Sequence, residues 1–130
     1  MSELSLTGIM CGPEAYKKLM KTSPDKTYRT EENEDFVSYL LIWEWAEWSD
    51  RGKRADEVRG VGAVLDELDR HDAPDDYRYA YKMVVIPEDL GRIETRANTA
   101  GVYLDIGYEI RFTLPCGARM FRPAENELRP

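Results

Sequence analysis

At residue 77 the spacing of apolar side chains changes from a helical period to an alternating one, and that change divides the chain. Over residues 54–69, Val58, Val61, Leu65 and Leu68 recur at intervals of three and four, with acids on the opposite side. Such intervals gather apolar groups on one stripe of an α-helix. From Tyr77 onward, Tyr77, Tyr79, Tyr81, Met83 and Val85 alternate with Arg78, Ala80, Lys82, Val84 and Ile86, which is the period of a strand. Both rows turn apolar toward Ile86, as in a strand covered on its two faces. Helices followed by strands predict an α+β domain. The expected architecture is two to three helices from the N-terminal half packed on one face of an antiparallel sheet from the C-terminal half.

Local signals fill in the elements. Gly12-Pro13-Glu14 opens a short helix reaching about Lys21, because proline at the first helical position gives up only an orphan donor. Ala15, Tyr16, Leu19 and Met20 form its apolar side. Thr22-Ser23-Pro24-Asp25 is turn chemistry, and residues 26–30 read as a brief strand. Gly60 and Gly62 cost the 54–69 helix about 1 kcal/mol each relative to alanine, which suggests close packing against a neighbour.

Residues 31–49 read as a second, largely buried helix. Glu31, Glu32, Glu34 and Asp35 crowd its start, and Arg51-Gly52 follow its end, matching the polarity of a helix dipole. Asn33 can cap it. Phe36, Leu40 and Trp43 share one face, widened by Val37, Leu41, Trp45 and Trp48. A strand over residues 36–45 is the competing reading, because β-branched and aromatic residues abound there. On a helix Trp43 and Trp45 are about 200° apart, so one of them would lie near the surface.

In the second half, Pro87 breaks the first strand. Residues 92–98 and 102–106 flank Thr99-Ala100-Gly101 as a hairpin, and Tyr108, Ile110, Phe112 and Leu114 mark one further strand. Residues 1–121 then make one domain, and residues 122–130, with little apolar mass, an exposed tail. The chain has 130 residues, a size that fits a single core without staples.

The net charge of −7 is unevenly spread. Residues 31–50 alone hold seven acids and no base. An acidic face repels phosphate and attracts basic proteins, so direct binding of nucleic acid is not expected. The longest apolar run, Tyr39 to Trp43, is far short of the ~20 residues a membrane helix needs. Two cysteines, Cys11 and Cys116, read as reduced, buried thiols of a cytoplasmic protein.

Catalytic and metal chemistry find little support in the sequence. Cys11, Cys116 and His71 are too few for a structural zinc site, so neither a metal nor a cofactor is expected. The acids Asp66, Glu67, Asp69, Asp72, Asp75 and Asp76 lack the spacing of a calcium loop and read as a solvated helix face and a capping loop.

Pro24-Asp25-Lys26-Thr27-Tyr28-Arg29, Asp35-Phe36-Val37-Ser38, and Tyr108-Glu109-Ile110 before Leu114-Pro115-Cys116-Gly117 distantly resemble the mono-ADP-ribosyltransferases. The resemblance implies an enzyme in which Arg29 holds the NAD phosphate, Ser38 supplies the serine motif and Glu109 is the catalytic carboxylate. This chain departs from the pattern at Gly107, where the family places a partner acid, and in its lack of Ser-Thr-Ser.

The leading expectation is a non-catalytic acidic module for protein–protein interaction, of the kind represented by phage inhibitors and accessory proteins. It would dock on a basic, nucleic-acid-binding surface of another protein through Glu31, Glu32, Glu34, Asp35, Glu44, Glu47, Trp48 and Asp50, continued by Asp66, Glu67 and Asp69. A degenerate ADP-ribosyltransferase-like enzyme and a self-associating structural subunit of a viral assembly are the alternatives.

Overall fold

The computed structural model describes residues 4–30, 37–46, 48–49, 52–71, 76–88, 92–98, 107–108, 112–113 and 118–120. In chain order these form β1 (Ser5–Cys11), α1 (Pro13–Leu19), β2 (Lys26–Thr30), β3 (Ser38–Ala46), α2 (Ala55–Leu68), β4 (Tyr81–Pro87), β5 (Glu94–Ala97), β6 (Gly107–Tyr108), β7 (Phe112–Thr113) and β8 (Ala118–Met120). The architecture is α+β. Six strands pair in the order β5-β4-β1-β3-β2-β8, every pairing antiparallel, while β6 and β7 pair separately.

The direction of each strand gives the topology. β2 runs parallel to β1 with β3 inserted between them, and β4 runs parallel to β3 with β1 inserted. Each of these pairs is joined by a helix, so the chain from β1 to β4 is a βαββαβ unit of two interleaved split βαβ motifs, the ferredoxin-like arrangement. β5 and β8 extend the two edges.

Both helices cover one face. Ile9 and Cys11 of β1, Leu41 and Trp43 of β3, and Tyr81 of β4 meet Ala15, Tyr16 and Leu19 of α1 and Val61, Leu65 and Leu68 of α2. Burying each such aliphatic side chain contributes about 1.5–3 kcal/mol, so this interface anchors the domain. The alternate residues Leu6, Met10, Leu40, Ile42, Val84 and Ile86 form a second buried cluster on the other face, with Tyr28 against it. β1 is buried throughout.

The sheet corrects several expectations. Its two central strands, β1 and β3, come from the N-terminal half, so the sheet is not a product of the C-terminal half. The helix expected over residues 31–49 is instead β3 across Ser38–Ala46. A strand at the middle of a sheet with both faces covered is apolar on both rows, and on a helical wheel that reads as a buried helix. Trp43 is fully buried on the helix side, where the edge of Trp48 lies 5.5 Å from it between ring centroids. Residues 77–79 form a 3₁₀ turn, so the strand begins at Tyr81 rather than Tyr77 and includes Pro87. The single strand expected from Tyr108 to Leu114 is two short strands paired antiparallel, Gly107 with Thr113 and Tyr108 with Phe112.

α1 begins where Pro13 occupies its first turn, and α2 spans the expected amphipathic segment, with Val61, Leu65 and Leu68 buried. Gly62 has no atom within 4 Å of where its Cβ would stand, so close packing does not explain it. The expected cap Asn33, the hairpin arm over residues 102–106 with its Thr99-Ala100-Gly101 turn, and the 122–130 tail lie outside the described residues.

Candidate functional site

Of the residues expected to bind a partner, Glu44, Trp48, Asp66, Glu67 and Asp69 are described, and they do not share a surface. Glu44 follows Leu40 and Ile42 on β3, the row facing away from the helices. Asp66, Glu67 and Asp69 belong to α2 and its C-terminal end, on the opposite side of the sheet. Trp48 packs on the buried Trp43 beyond the far end of β3. The nine residues of β3 extend about 27 Å, so Ser38 and Ala46 stand at opposite ends of the sheet. The continuous acidic face expected over residues 31–50 required a helix. Glu31, Glu32, Glu34, Asp35, Glu47 and Asp50 themselves lie outside the described residues.

Each described acid of the expected platform is held by a cation. Lys26 on β2 reaches Glu44 across the strand pair at 2.6 Å, and Lys18 on α1 reaches Glu67 at 2.6 Å. Arg96 on β5 bridges Asp66 at 2.8 Å and Asp69 at 2.7 Å. These pairs are solvent-exposed, so their contribution to stability is small, but they neutralise the side chains involved. The hydrogen bond from Lys18 holds the Glu67 carboxyl below its usual range and raises the Lys18 ammonium.

A second network closes the end of α2. The Tyr81 hydroxyl donates to Asp69 Oδ1 at 2.7 Å, and burial raises its pKa above the usual phenolic range. Asn98 Oδ1 accepts from Tyr81 N at 2.8 Å, while its Nδ2 donates to the carbonyls of Tyr79 at 2.9 Å and Leu68 at 3.4 Å. Leu68 ends α2, and its carbonyl accepts from His71 N at 3.0 Å as well as from Asn98, so the amide adds a second donor there from another element. At the opposite end Arg54 forks onto Glu57, with Nε–Oε1 at 3.1 Å and Nη2–Oε2 at 2.6 Å, and donates from Nη1 to Asp25 Oδ2 at 2.8 Å. The sequence does not single out Lys18, Lys26 or Arg96 as partners of the acids of the expected platform, because each reaches its acid from another element.

The strand registers place several connections at one end of the sheet. Cys11 pairs with Tyr39 and Tyr81, and Thr30 pairs with Ser38. The chain therefore leaves the sheet at Thr30 and returns at Ser38 at the same end where it leaves α2 and returns at Tyr81. The sequence of the first connection contains Glu31, Glu32, Glu34 and Asp35, and that of the second Asp69, Asp72, Asp75 and Asp76. Arg78 holds Asp76 at 2.7 Å and keeps its carboxyl below the usual range. His71, between these acids in sequence, stacks on Tyr79 at 4.0 Å with the ring planes 4° apart.

The residues of the enzyme reading are not brought together. Arg29 lies on the helix side of β2, its guanidinium 5.9 Å from the Tyr39 ring centroid. Ser38 belongs to the row of Leu40 and Ile42 on the other side. Glu109 lies outside the described residues.

Cys11 is a free thiol, fully buried, and burial raises its pKa. Cys116 lies outside the described residues. Among the described residues, no three His, Cys, Asp or Glu side chains assemble as a metal site, and no helix is long and apolar enough to cross a membrane. Comparison with protein-family models, curated proteins and solved structures finds no match to this chain.

Proposed function

We propose that this protein is a non-catalytic interaction module that docks an acid-bearing end of its sheet on a basic, nucleic-acid-binding surface of another protein. The observation that carries the reading is that the β2–β3 and α2–β4 connections share one end of the sheet. Their sequences hold Glu31, Glu32, Glu34, Asp35, Asp72 and Asp75, to which the net charge of −7 adds a long-range attraction for cations. Glu44, Asp66, Glu67 and Asp69 are each paired with a cation within the chain, Glu44 toward the other end of β3. Such docking fits the chemistry of inhibitors and accessory proteins of the phage type, which occupy surfaces that otherwise hold phosphate.

The test neutralises the first connection with Glu31→Gln, Glu32→Gln, Glu34→Gln and Asp35→Asn together, and compares capture of basic proteins from host lysate at low and high salt. The proposal expects capture by the natural chain at low salt, loss at about 0.5 M salt, where the screening length falls below ~5 Å, and loss in the neutralised variant. Capture that survives both the substitutions and the salt overturns it.

A further inference from the structure

His71 is the one histidine of the chain, and histidine is the side chain whose ordinary titration range spans neutrality. Its backbone closes the end of α2, where His71 N donates to the Leu68 carbonyl at 3.0 Å. The imidazole lies parallel to the Tyr79 ring, 4.0 Å away, so the chain just after α2 and the 3₁₀ turn before β4 meet there. This is the end of the sheet where Cys11 pairs with Tyr81, the end that the two acid-bearing connections share. A parallel stack occupies the face of the ring, whereas both nitrogens lie on its edge. His71 is exposed, and among the described residues neither nitrogen makes a hydrogen bond, so a proton can arrive without breaking one.

Charged groups surround the ring from three elements. Glu67, one turn earlier on α2, is paired with Lys18 of α1, and Asp76 before the 3₁₀ turn is paired with Arg78. The charge of His71 reaches both carboxylates. Glu14 of α1 acts on Lys18 and Arg78, Arg70 precedes His71 in the chain, and Asp69 is engaged by Tyr81 and Arg96. Glu67 and Asp76 are held below the usual carboxylate range, and Lys18 and Arg78 above their own ranges. None of these four therefore changes charge between about pH 5.5 and 7.5.

We propose, on the docking reading above, that His71 is the pH-sensitive element of that end: neutral imidazole permits contact with a basic surface, and imidazolium opposes it. Protonation sets a positive charge within reach of Glu67 and Asp76 and next to Asp72 in sequence. The field that draws cations to this end weakens as pH falls through the imidazole range. The coupling is reciprocal, so a bound cation also drives the proton off the ring.

The experiment is calorimetric titration of the full chain with a lysine decapeptide at about 20 mM salt, where the screening length is ~20 Å. The peptide stays charged between about pH 7.5 and 5.5, so a change across that window belongs to the protein. The proposal expects affinity to fall about threefold or more from the higher pH to the lower, and His71→Gln to bind alike at both. Proton NMR of the natural chain reads the midpoint of its single imidazole without any variant, and adding the peptide is expected to lower that midpoint. Equal binding at the two pH values, a fall that persists in His71→Gln, or a midpoint unmoved by the peptide overturns the proposal and leaves the docking reading standing. Absence of binding at the higher pH overturns the docking reading, and the role of His71 with it.

Discussion

Gly12 lies directly against the backbone of Tyr77: a Cβ on Gly12 would stand 2.1 Å from the Tyr77 carbonyl oxygen and 2.9 Å from that of Arg78. The contact joins the turn between β1 and α1 to the 3₁₀ turn before β4, and Gly12 N donates to the Ala80 carbonyl at 3.0 Å. Backbone on both sides leaves no flexible atom to yield. Gly12→Ala is expected to destabilise the fold by about 3 kcal/mol or more, in the upper range of single substitutions. Urea denaturation followed by tryptophan fluorescence measures it; a loss under about 1 kcal/mol would contradict the close approach.

Gly62 offers the opposite case. With open space around its Cβ position, and only Thr22 Cγ2 at 3.5 Å from that of Gly60, alanine at either site adds helix propensity without a clash. Gly62→Ala should raise stability by about 0.5–1 kcal/mol, and Gly60→Ala by a similar or smaller amount. A thermal midpoint that falls in Gly62→Ala would show that α2 packs more tightly there than its surroundings indicate.

Asn98 joins three elements through its side-chain amide. Asn98→Ala leaves the Tyr81 N–H and the Tyr79 carbonyl without this partner, at an expected cost of about 2–3 kcal/mol. Amide hydrogen exchange locates the effect: protection should fall first at Tyr81 N and over the last turn of α2, and uniform loss across the sheet would argue against this local role.

Tyr81 and Arg96 both reach Asp69, through its Oδ1 and Oδ2. Tyr81→Phe is expected to cost about 1 kcal/mol, and Arg96→Gln less, since it is exposed. Because the two share one carboxylate, their effects should not add. A double-mutant cycle is expected to return a coupling of about 0.5 kcal/mol or more, and strict additivity would show that the two bonds act independently.

Acid should weaken the fold in a particular window. Glu67 and Asp76 are held below their usual carboxylate range by hydrogen bonds from Lys18 and Arg78. Groups lowered in the folded state bind fewer protons there, so their stabilisation is present above the ordinary range and is lost as pH falls through the lowered values. The urea midpoint should be level from pH 7 to about 5 and decline below about 4. The Glu67→Gln, Asp76→Asn variant should show a shallower decline; an unchanged acid limb would assign it to other carboxylates.

α2 and the strandedness of residues 81–86 could be read from the chain alone, because α2 buries one regular stripe and the start of β4 sets Lys82 between Tyr81 and Met83, so a period survives in the order of residues. The start of α1 at Gly12-Pro13 was equally local. β1 was not accessible that way, and β3 was legible only as the competing strand over residues 36–45. β1 includes Ser5, Thr7 and Gly8 and has no strong propensity of its own; it is a strand because β3 and β4, distant in sequence, pair with its two sides. β3 is apolar on both rows because both faces of the sheet are buried, which erases the alternation that distinguishes strand from helix. The site followed the same division. Composition fixed the excess of acids and their crowding in residues 31–50. Only long-range pairing decided that Glu44 faces away from α2, that Arg96 reaches Asp66 and Asp69, and that Arg29 and Ser38 point to opposite sides. A period along the chain records burial of one side, whereas neighbours across a sheet are chosen by register, and register is a property of the assembled fold.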